Sequence, residues 1–299
     1  MTPLSGQSVL ITGAAHGIGA EVARRLAARG ARVSLVGLGA DELRRVAADC
    51  PGAVVFDADV TDQEALDAAV AGTVEAFGGI DTVFANAGIG APGFIRTMDP
   101  ASFERVIEVN LVGVWRTIRA CLPHIIERRG YVLPVASMAA LVPPVGLAAY
   151  GAAKSGVEAL GDALRVEVQG FGVKVGVAYF SWIDTEMVRG ADRTEIGATM
   201  RATLKGPLAK TYPVSAAAEA VVRGIEHRSR IVACPRRLLM ALMVLKPLLP
   251  WLTERTVRKD IAHFDEIAER EALTRGSDPV GAGGAAEMAG RAARTSTAH

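Results

Sequence analysis

Short apolar runs alternate along the chain with longer segments in which apolar residues recur at helical spacing. Residues 9–11 form the first run, which predicts a buried strand. Ile18, Val22 and Leu26 then share one face of a predicted helix that ends at Gly30. The chain therefore opens with a strand that leads directly into a helix.

The same alternation continues to about residue 235 and predicts a layered α/β fold. Thr61 and Glu64 form a capping box at the start of one helix. Asp99 is the candidate cap of a second helix, and Ser215 that of a third. Repeated strand–helix–strand units form parallel sheets, so we expect a doubly wound, seven-stranded parallel sheet with helices on both faces. The other predicted strands are 32–36, 53–56, 80–85, 131–136, 174–178 and 230–233, and the other helices are 41–48, 61–77, 100 through 115, 150–169 and 216–226.

A glycine-rich turn lies between the first strand and the first helix, with the sequence Thr12-Gly13-Ala14-Ala15-His16-Gly17-Ile18-Gly19. Glycines let the backbone approach a pyrophosphate closely, and a helix N-terminus presents free N–H groups and a positive dipole end to it. A glycine cluster alone is a weak signal. Placed between a strand and a helix, it predicts a dinucleotide-binding site.

Tyr150 and Lys154 are four residues apart in a predicted helix, so their side chains share one face. An ammonium near a phenol favours the phenolate, which predicts a lowered pKa for Tyr150. Such a tyrosine can exchange a proton with a carbonyl or alcohol oxygen. Thr12, Asn86 and Ser137 each follow a predicted strand, where ligands of parallel sheets lie.

These residues together resemble the short-chain dehydrogenase/reductase family over roughly residues 7–235. The resemblance implies a Rossmann fold and NAD(P)-dependent interconversion of a secondary alcohol and a ketone. The matching positions are the glycine motif at Thr12, Gly13, Gly17, Ile18 and Gly19, then Asp59-Val60, Asn86-Ala87-Gly88, and the four catalytic positions Asn110, Ser137, Tyr150 and Lys154.

The resemblance also implies a role for each catalytic position. Tyr150 is the general acid or base, and Lys154 tunes it and holds the nicotinamide ribose. Ser137 binds the substrate oxygen. Asn110 distorts its helix and holds a water that links Lys154 to solvent. Each residue also has an ordinary structural alternative: a helix-start aromatic, a solvated lysine, a turn serine and a helix asparagine bonded to backbone.

The cofactor contacts implied by the resemblance leave NAD and NADP open, with a lean towards NADP. Leu38 follows the second strand, where NAD-preferring relatives carry an aspartate, and no carboxylate stands there to repel a phosphate. His16 either contacts that phosphate or is a loop histidine. Asp59 is either a cofactor contact or a solvated carboxylate. The implied cofactor residues are Thr12, Gly13, His16, Gly17, Ile18, Gly19, Leu38, Asp59, Val60, Asn86, Ala87, Gly88, Tyr150, Lys154 and Thr185.

One segment departs from the family pattern. Phe180 and Ser181 stand where the family carries Pro-Gly, although Thr185 is retained. Residues 1–235 are the predicted catalytic domain, and 186–213, with glycine breakers and charges, are its predicted substrate lid.

Residues 236–275 form a predicted helical extension, first apolar and then charged, and 276–299 a predicted flexible tail. The apolar run is too short to span a bilayer, which needs about 20 apolar residues. Three roles are open for this run: it covers the pocket, contacts a second subunit or lies on a membrane surface. Pocket cover and subunit contact are favoured over membrane contact. A homodimer or homotetramer is implied by the resemblance.

Composition narrows the function further. With 299 residues and a net charge of +1, the chain can bury a large core and has no general attraction for nucleic acid. Its three cysteines form no metal or redox pair, and the first strand starts near residue 8, which together predict a cytoplasmic protein without a metal site. The expected substrate is an apolar alcohol or ketone. A dinucleotide sensor, a membrane-surface protein and an epimerase or dehydratase remain alternatives.

Overall fold

Six parallel strands form the central sheet of the computed structural model, which describes residues 3–274 and 279–280. These strands are β1 (Ser8–Thr12), β2 (Arg32–Gly37), β3 (Val54–Asp57), β4 (Thr82–Ala85), β5 (Tyr131–Pro134) and β6 (Lys174–Val175), while β7 (Val177–Phe180) and β8 (Ile231–Cys234) pair with each other. The order across the six-stranded sheet is β3-β2-β1-β4-β5-β6, so the chain winds outward in both directions from β1.

The predicted doubly wound parallel sheet is confirmed, but the single seven-stranded sheet is not. The predicted sixth strand is divided at Gly176, where an added Cβ would overlap the Tyr131 hydroxyl and the carbonyl oxygen of Ser229. The Tyr131 hydroxyl donates to that carbonyl (2.7 Å) and crosses the strand at this point. The result is a six-stranded sheet with a two-stranded sheet beside it, linked by one bridge between Val135 and Ala178.

Helices cover both faces of the sheet. The helices are α1 (Gly17–Ala27), α2 (Ala40–Ala48), α3 (Gln63–Phe77), α4 (Pro100–Ile107), α5 (Gly113–Glu127), α6 (Ala148–Glu167), α7 (Glu186–Asp192), α8 (Glu195–Thr203), α9 (Val214–Glu226), α10 (Arg236–Leu245), α11 (Leu249–Val257) and α12 (Ile261–Thr274).

The strands are apolar throughout because each face has its own hydrophobic core. In β1, Leu10 belongs to the cluster that includes α3 and α5 residues. Val9 and Ile11 point the other way, into the cluster that includes α1 and α9 residues. Successive side chains of a strand point to opposite faces. Because both faces of this sheet are buried, every position of the strand is apolar.

Two of the three predicted helix caps differ in the structure. Asp99 caps α4 as predicted and accepts from the amide of Ser102 (2.9 Å). The cap of α3 is Asp62, which accepts from the amide of Ala65 (3.1 Å), because Thr61 is bonded instead to a preceding loop carboxylate. Ser215 lies inside α9, which starts one residue earlier.

The C-terminal extension is helical and packs in two places. Leu239, Leu242 and Leu249 are buried against the main core, and Lys246 forms an ion pair with Glu158 of α6. Farther along, α12 packs on α8 in a separate small cluster. Within residues 3–274 and 279–280, no helix is both long and apolar enough to cross a membrane. The predicted flexible tail lies outside the described residues except for Pro279 and Val280.

Candidate active site

A cleft opens where β1, β4 and β5 end, and it gathers most of the residues singled out in the sequence. Thr12, Gly19 and Asn110 lie behind its wall and do not line it. The predicted residues that line it are Gly13, His16, Gly17, Ile18, Leu38, Asp59, Val60, Asn86, Ala87, Gly88, Ser137, Tyr150, Lys154 and Thr185.

The glycine turn is packed too tightly to accept side chains. A Cβ on Gly13, whose φ is +66°, would lie 2.9 Å from the Cα of Ala87. A Cβ on Gly19 would overlap the carbonyl oxygen of Gly13. His16 precedes α1 without capping it through its side chain, so the first-turn amides of α1 remain available at the cleft.

Thr12 and Asn86 hold the turn against the end of β4. The Thr12 hydroxyl accepts from the amides of Asn86 (3.1 Å) and Ala87 (3.2 Å). In return the Asn86 side-chain amide donates to the carbonyl oxygens of Thr12 (3.0 Å) and Gly13 (3.3 Å). This reciprocal bonding fixes the two strand ends that form the floor of the cleft.

Asn110 lies in a π-helical turn, Glu108–Val112, that divides the predicted long helix into α4 and α5. Its Oδ1 accepts from the amide of Ile89 (2.9 Å), and its Nδ2 donates to the carbonyl oxygen of Ile89 (2.8 Å). The side chain is fully buried. Asn110 therefore fixes the loop after β4 from behind the cleft wall.

Tyr150 and Ser137 place two hydroxyl groups side by side in the cleft. Tyr150 lies in the first turn of α6, and Ser137 follows β5, where its Oγ accepts from the amide of Ala139 (3.1 Å). Burial raises the pKa of Tyr150, and the nearby Ser137 hydroxyl only partly offsets that rise. The phenol is therefore neutral at pH 7 and keeps its proton.

Lys154 lies one turn beyond Tyr150 and is almost fully buried. Its ammonium donates to the carbonyl oxygen of Val135 (2.9 Å) and lies 5.6 Å from the centre of the Tyr150 ring. Burial lowers the pKa of Lys154 to about 8. The sequence predicted a lowered pKa for Tyr150, and that direction is wrong here because burial of the phenol outweighs the neighbouring groups.

Asp59 is a buried carboxylate and not a solvated one. Its Oδ1 accepts from the amide (2.9 Å) and hydroxyl (2.8 Å) of Thr61, and its Oδ2 pairs with Arg105 (2.9 Å). Burial raises the pKa of Asp59, but the Thr61 hydrogen bonds and the charge of Arg105 together lower it below its usual value. Beside it, Val60 packs against Gly113 at the start of α5.

The region beyond β2 carries few charges that face the cleft. Leu38 and His16 line the cleft there. The amide of Gly39 donates to Asp57 (3.2 Å). The nearest arginines on α2 form ion pairs within their own helix, Arg44 with Asp41 and Arg45 with Glu42.

The opposite end of the cleft is apolar and includes residues that sequence reasoning missed. Phe180, Ile89 and Met187 contribute to it. Val280 is buried there, and its amide donates to the carbonyl oxygen of Gly90 (2.8 Å). No periodic signal marks Val280, because it lies in a stretch rich in Gly and Ala. Residues 236–252, all of which the structure describes, do not line the cleft, which favours subunit or membrane contact over pocket cover among the three alternatives.

The predicted lid is mostly helical and is held by α12. Phe264 and Ile267 of α12 pack against Ile196 of α8. The Glu271 carboxylate accepts from the amides of Glu195 (2.6 Å) and Ile196 (3.4 Å), so it caps α8 from another helix. The lid is therefore tied to the C-terminal extension by both apolar and polar contacts.

Comparison with known proteins agrees with this architecture. Residues 7–196 match the family model described as short chain dehydrogenase. The chain is 37% identical over 208 residues to a (-)-trans-carveol dehydrogenase of Rhodococcus erythropolis, covering 63% of this chain and 75% of that protein. It is 34% identical over 217 residues to a cis-4-hydroxycyclohexanecarboxylate dehydrogenase of Sinomonas cyclohexanicum, covering 71% and 86% respectively.

A solved structure shares the same arrangement of strands and helices. Levodione reductase aligns with a TM-score of 0.71 and 29% sequence identity, over 77% of this chain and 96% of its own. The family match spans more than half of the sequence and includes the glycine turn, Ser137 and Tyr150. The chain therefore belongs to the short-chain dehydrogenase family of oxidoreductases.

Proposed function

We propose that the protein interconverts a secondary alcohol and a ketone with NAD(P), using Tyr150 as the general acid and base. The hydroxyls of Ser137 and Tyr150 carry this proposal, because both residues line a single cleft with the glycine turn. Two adjacent hydroxyl donors can bind one carbonyl oxygen and stabilise the negative charge that develops on it.

The glycine turn fits the cofactor. Its backbone is too close-packed for side chains at Gly13 and Gly19, and the uncapped start of α1 offers N–H groups to a pyrophosphate. Residues at the floor and walls, including Asn86, Lys154 and Thr185, would hold the rest of the dinucleotide. When bound, the nicotinamide ring supplies the hydride acceptor or donor.

The protonation states suit ketone reduction at neutral pH. Tyr150 is a neutral phenol there, so it can donate a proton to the carbonyl oxygen as that oxygen becomes an alkoxide. In the reverse direction, alcohol oxidation, the phenol oxygen of Tyr150 must first lose its own proton before it can accept the proton of the alcohol. Lys154, with a pKa of about 8, is mostly an ammonium at pH 7. Its positive charge favours the deprotonated form of Tyr150. Asn110 is proposed as a positioning residue, and the water relay implied by the family resemblance stays a prediction.

The substrate end of the cleft favours an apolar molecule. Phe180, Ile89, Met187 and Val280 form its walls, and α12 holds the lid beside them. The two relatives compared above are named as dehydrogenases of carveol and of hydroxycyclohexanecarboxylate. We therefore propose a cyclic secondary alcohol or ketone with an apolar ring as the substrate class.

NADP is the favoured cofactor. Leu38 lines the cleft where a carboxylate would exclude a 2′-phosphate, and His16 of the glycine turn lines it as well. Dissociation constants for NADPH and NADH should differ in favour of NADPH. Leu38→Asp should reverse that preference, and equal affinities in both proteins would remove the NADP assignment.

A homo-oligomer is proposed through α5 and α6, which carry Trp115 and Tyr150. Trp115 is 44% exposed and stacks with Arg119 on the outer side of α5. Light scattering of wild type and Trp115→Ser would test this interface. A wild-type monomer would contradict it.

Turnover across a substrate panel tests the proposed reaction. Wild type would be mixed with oxidised NAD or NADP and cyclic, linear and aromatic secondary alcohols, and in reverse with the matching ketones. We expect reduced nicotinamide to form with at least the apolar cyclic alcohols. Dinucleotide binding without turnover on any member would favour the sensor alternative instead.

A further inference from the structure

A row of large apolar side chains faces solvent along α10 and α11. Two of these side chains end α10, one lies in the turn that follows it and two lie in α11, so all of them fall within residues 244–252. We call this row the apolar stripe. Its members and their exposed fractions are Val244 (79%), Leu245 (43%), Leu248 (56%), Trp251 (55%) and Leu252 (41%).

The opposite side of the same segment fixes it to the protein. Leu239, Leu242 and Leu249 are buried in the main core. Lys246 pairs with Glu158 of α6. Since the inward face is already occupied, the segment cannot bury the apolar stripe by rotating about its axis. A surface outside the described chain is needed to cover it.

Basic residues lie at both ends of the apolar stripe. Residues 236–260 contain six Lys or Arg residues and two acidic residues, Glu254 and Asp260. Arg237 precedes the stripe, and Arg258 and Lys259 follow it, all exposed. Arg255 lies over the ring of Trp251, with its guanidinium carbon 4.9 Å from the ring centre. An apolar row between basic ends is the pattern of a helix that lies in the surface of an anionic bilayer.

The charges argue against a second copy of the chain as the occupant. A two-fold axis brings the same patch of each subunit together. Whether the two helices ran parallel or antiparallel, basic ends would meet basic ends. Glu254 and Asp260 are the two carboxylates within residues 236–260 that could offset them, against six Lys or Arg residues. An anionic lipid surface complements both ends of the stripe at once.

We propose that the apolar stripe and its basic ends dock the protein on membranes that contain anionic lipids. The stripe enters the boundary between headgroups and acyl chains, with Trp251 at headgroup depth. Arg237, Arg258 and Lys259 contact lipid phosphates. This docking is peripheral and independent of the reaction proposed for the cleft.

Vesicle co-sedimentation of the full chain tests the proposal. Phosphatidylcholine vesicles would be compared with vesicles that also contain phosphatidylglycerol, at low and high salt. We expect binding to the anionic vesicles and weaker binding at high salt, because the Debye length falls to about 3 Å at 1 M. Absent binding, or equal binding to both vesicles, would overturn the proposal.

Matched variants locate the contact. Leu248→Ser/Trp251→Ser should bind anionic vesicles at least about tenfold more weakly, as expected when large apolar side chains no longer leave water. Val244→Ser should weaken binding, whereas Val166→Ser, at a 72% exposed position on α6, should not. Arg237→Gln/Arg258→Gln should lose most of its preference for anionic vesicles, with Lys174→Gln as the control.

Measurement of the oligomeric state tests the remaining alternative, in which a second copy of the chain covers the apolar stripe. Light scattering of wild type and the Leu248→Ser/Trp251→Ser variant shows whether the stripe joins subunits. If the variant dissociates an oligomer and neither protein binds vesicles, the stripe is a subunit interface and the membrane proposal is wrong. Unchanged circular dichroism and unchanged dinucleotide affinity would show that the variants are folded.

Discussion

The glycine turn is buried or half-buried and the apolar stripe is exposed, and they differ in what determines their residues. At the turn, Gly13 and Gly19 meet neighbouring backbone so closely that a methyl group does not fit. On the stripe, Val244 is 79% exposed and contacts little of the protein. Contacts within the described residues therefore dictate the turn, whereas none of them requires the exposed apolar side chains of the stripe.

Removing one hydroxyl from the cleft should have the largest effect. Tyr150→Phe should lower kcat by about 10²–10⁴-fold, the usual contribution of general acid–base catalysis, and leave dinucleotide affinity near that of wild type. Steady-state kinetics and dinucleotide titration would measure the two quantities. Tyr212→Phe removes a phenol hydroxyl outside the cleft and should change neither. Retention of most activity by Tyr150→Phe would show that another group transfers the proton.

Adding one methyl group to the glycine turn should have the second-largest effect, a weaker affinity for the dinucleotide. Gly19→Ala forces a Cβ against the carbonyl oxygen of Gly13, so we expect affinity to fall about a hundredfold, or about 2.7 kcal/mol. Gly170→Ala is the control, since nothing lies within 4 Å of its added Cβ. Calorimetric titration would compare them. Equal affinities would mean that the turn does not contact the dinucleotide.

The buried ammonium should make stability depend on pH. Lys154 has a folded pKa of about 8, below its unfolded value, so the unfolded chain binds more protons between these values. The free energy of unfolding should therefore gain about 2 kcal/mol from this group between pH 7 and pH 10. Lys154→Met lacks the gain, so its stability relative to wild type should decline over that range.

Denaturant titration of both proteins at each pH measures this difference. The buried cysteines and tyrosines, whose raised pKa values reduce stability at high pH, are common to both proteins and cancel. A stability difference that does not change with pH would mean that Lys154 is not desolvated as described.

Loosening the lid should have the smallest effect. Phe264→Ala removes a 2% exposed ring that packs near Ile196 of the lid, so we expect KM for the substrate to rise about tenfold, or about 1.4 kcal/mol. Dinucleotide affinity should stay constant, because α12 touches the lid and not the glycine turn. Leu273→Ala, on the same helix but 84% exposed, is the control. An unchanged KM would show that α12 does not affect substrate binding.

The sequence could predict the parts of the fold that repeat a local rule. Strands such as β1 are buried on both faces, so Val9, Leu10 and Ile11 form an unbroken apolar run that is easy to find. The glycine turn could also be predicted, because its spacing follows from close backbone contact. The apolar run and the contact between Gly19 and Gly13 both depend on residues near one another in the chain.

The features that were missed depend on residues far apart in the chain. Gly176 divides a strand because the Tyr131 side chain crosses it. Tyr150 has a raised pKa because the folded cleft buries it, although Lys154 is nearby in sequence. Val280 lines the cleft, and its amide donates a hydrogen bond to the carbonyl oxygen of Gly90. No local sequence pattern predicts this contact.

Transfer of deuterium from the cofactor to the product is the decisive measurement of the proposed reaction. The protein would be given nicotinamide cofactor reduced with deuterium at the transferable position, together with an apolar cyclic ketone, and the product analysed by mass spectrometry. The proposed reaction predicts deuterium on the carbon that bears the new hydroxyl group with wild type, and little product with Tyr150→Phe. Product without deuterium, or equal labelled product from both proteins, would contradict hydride transfer assisted by this tyrosine.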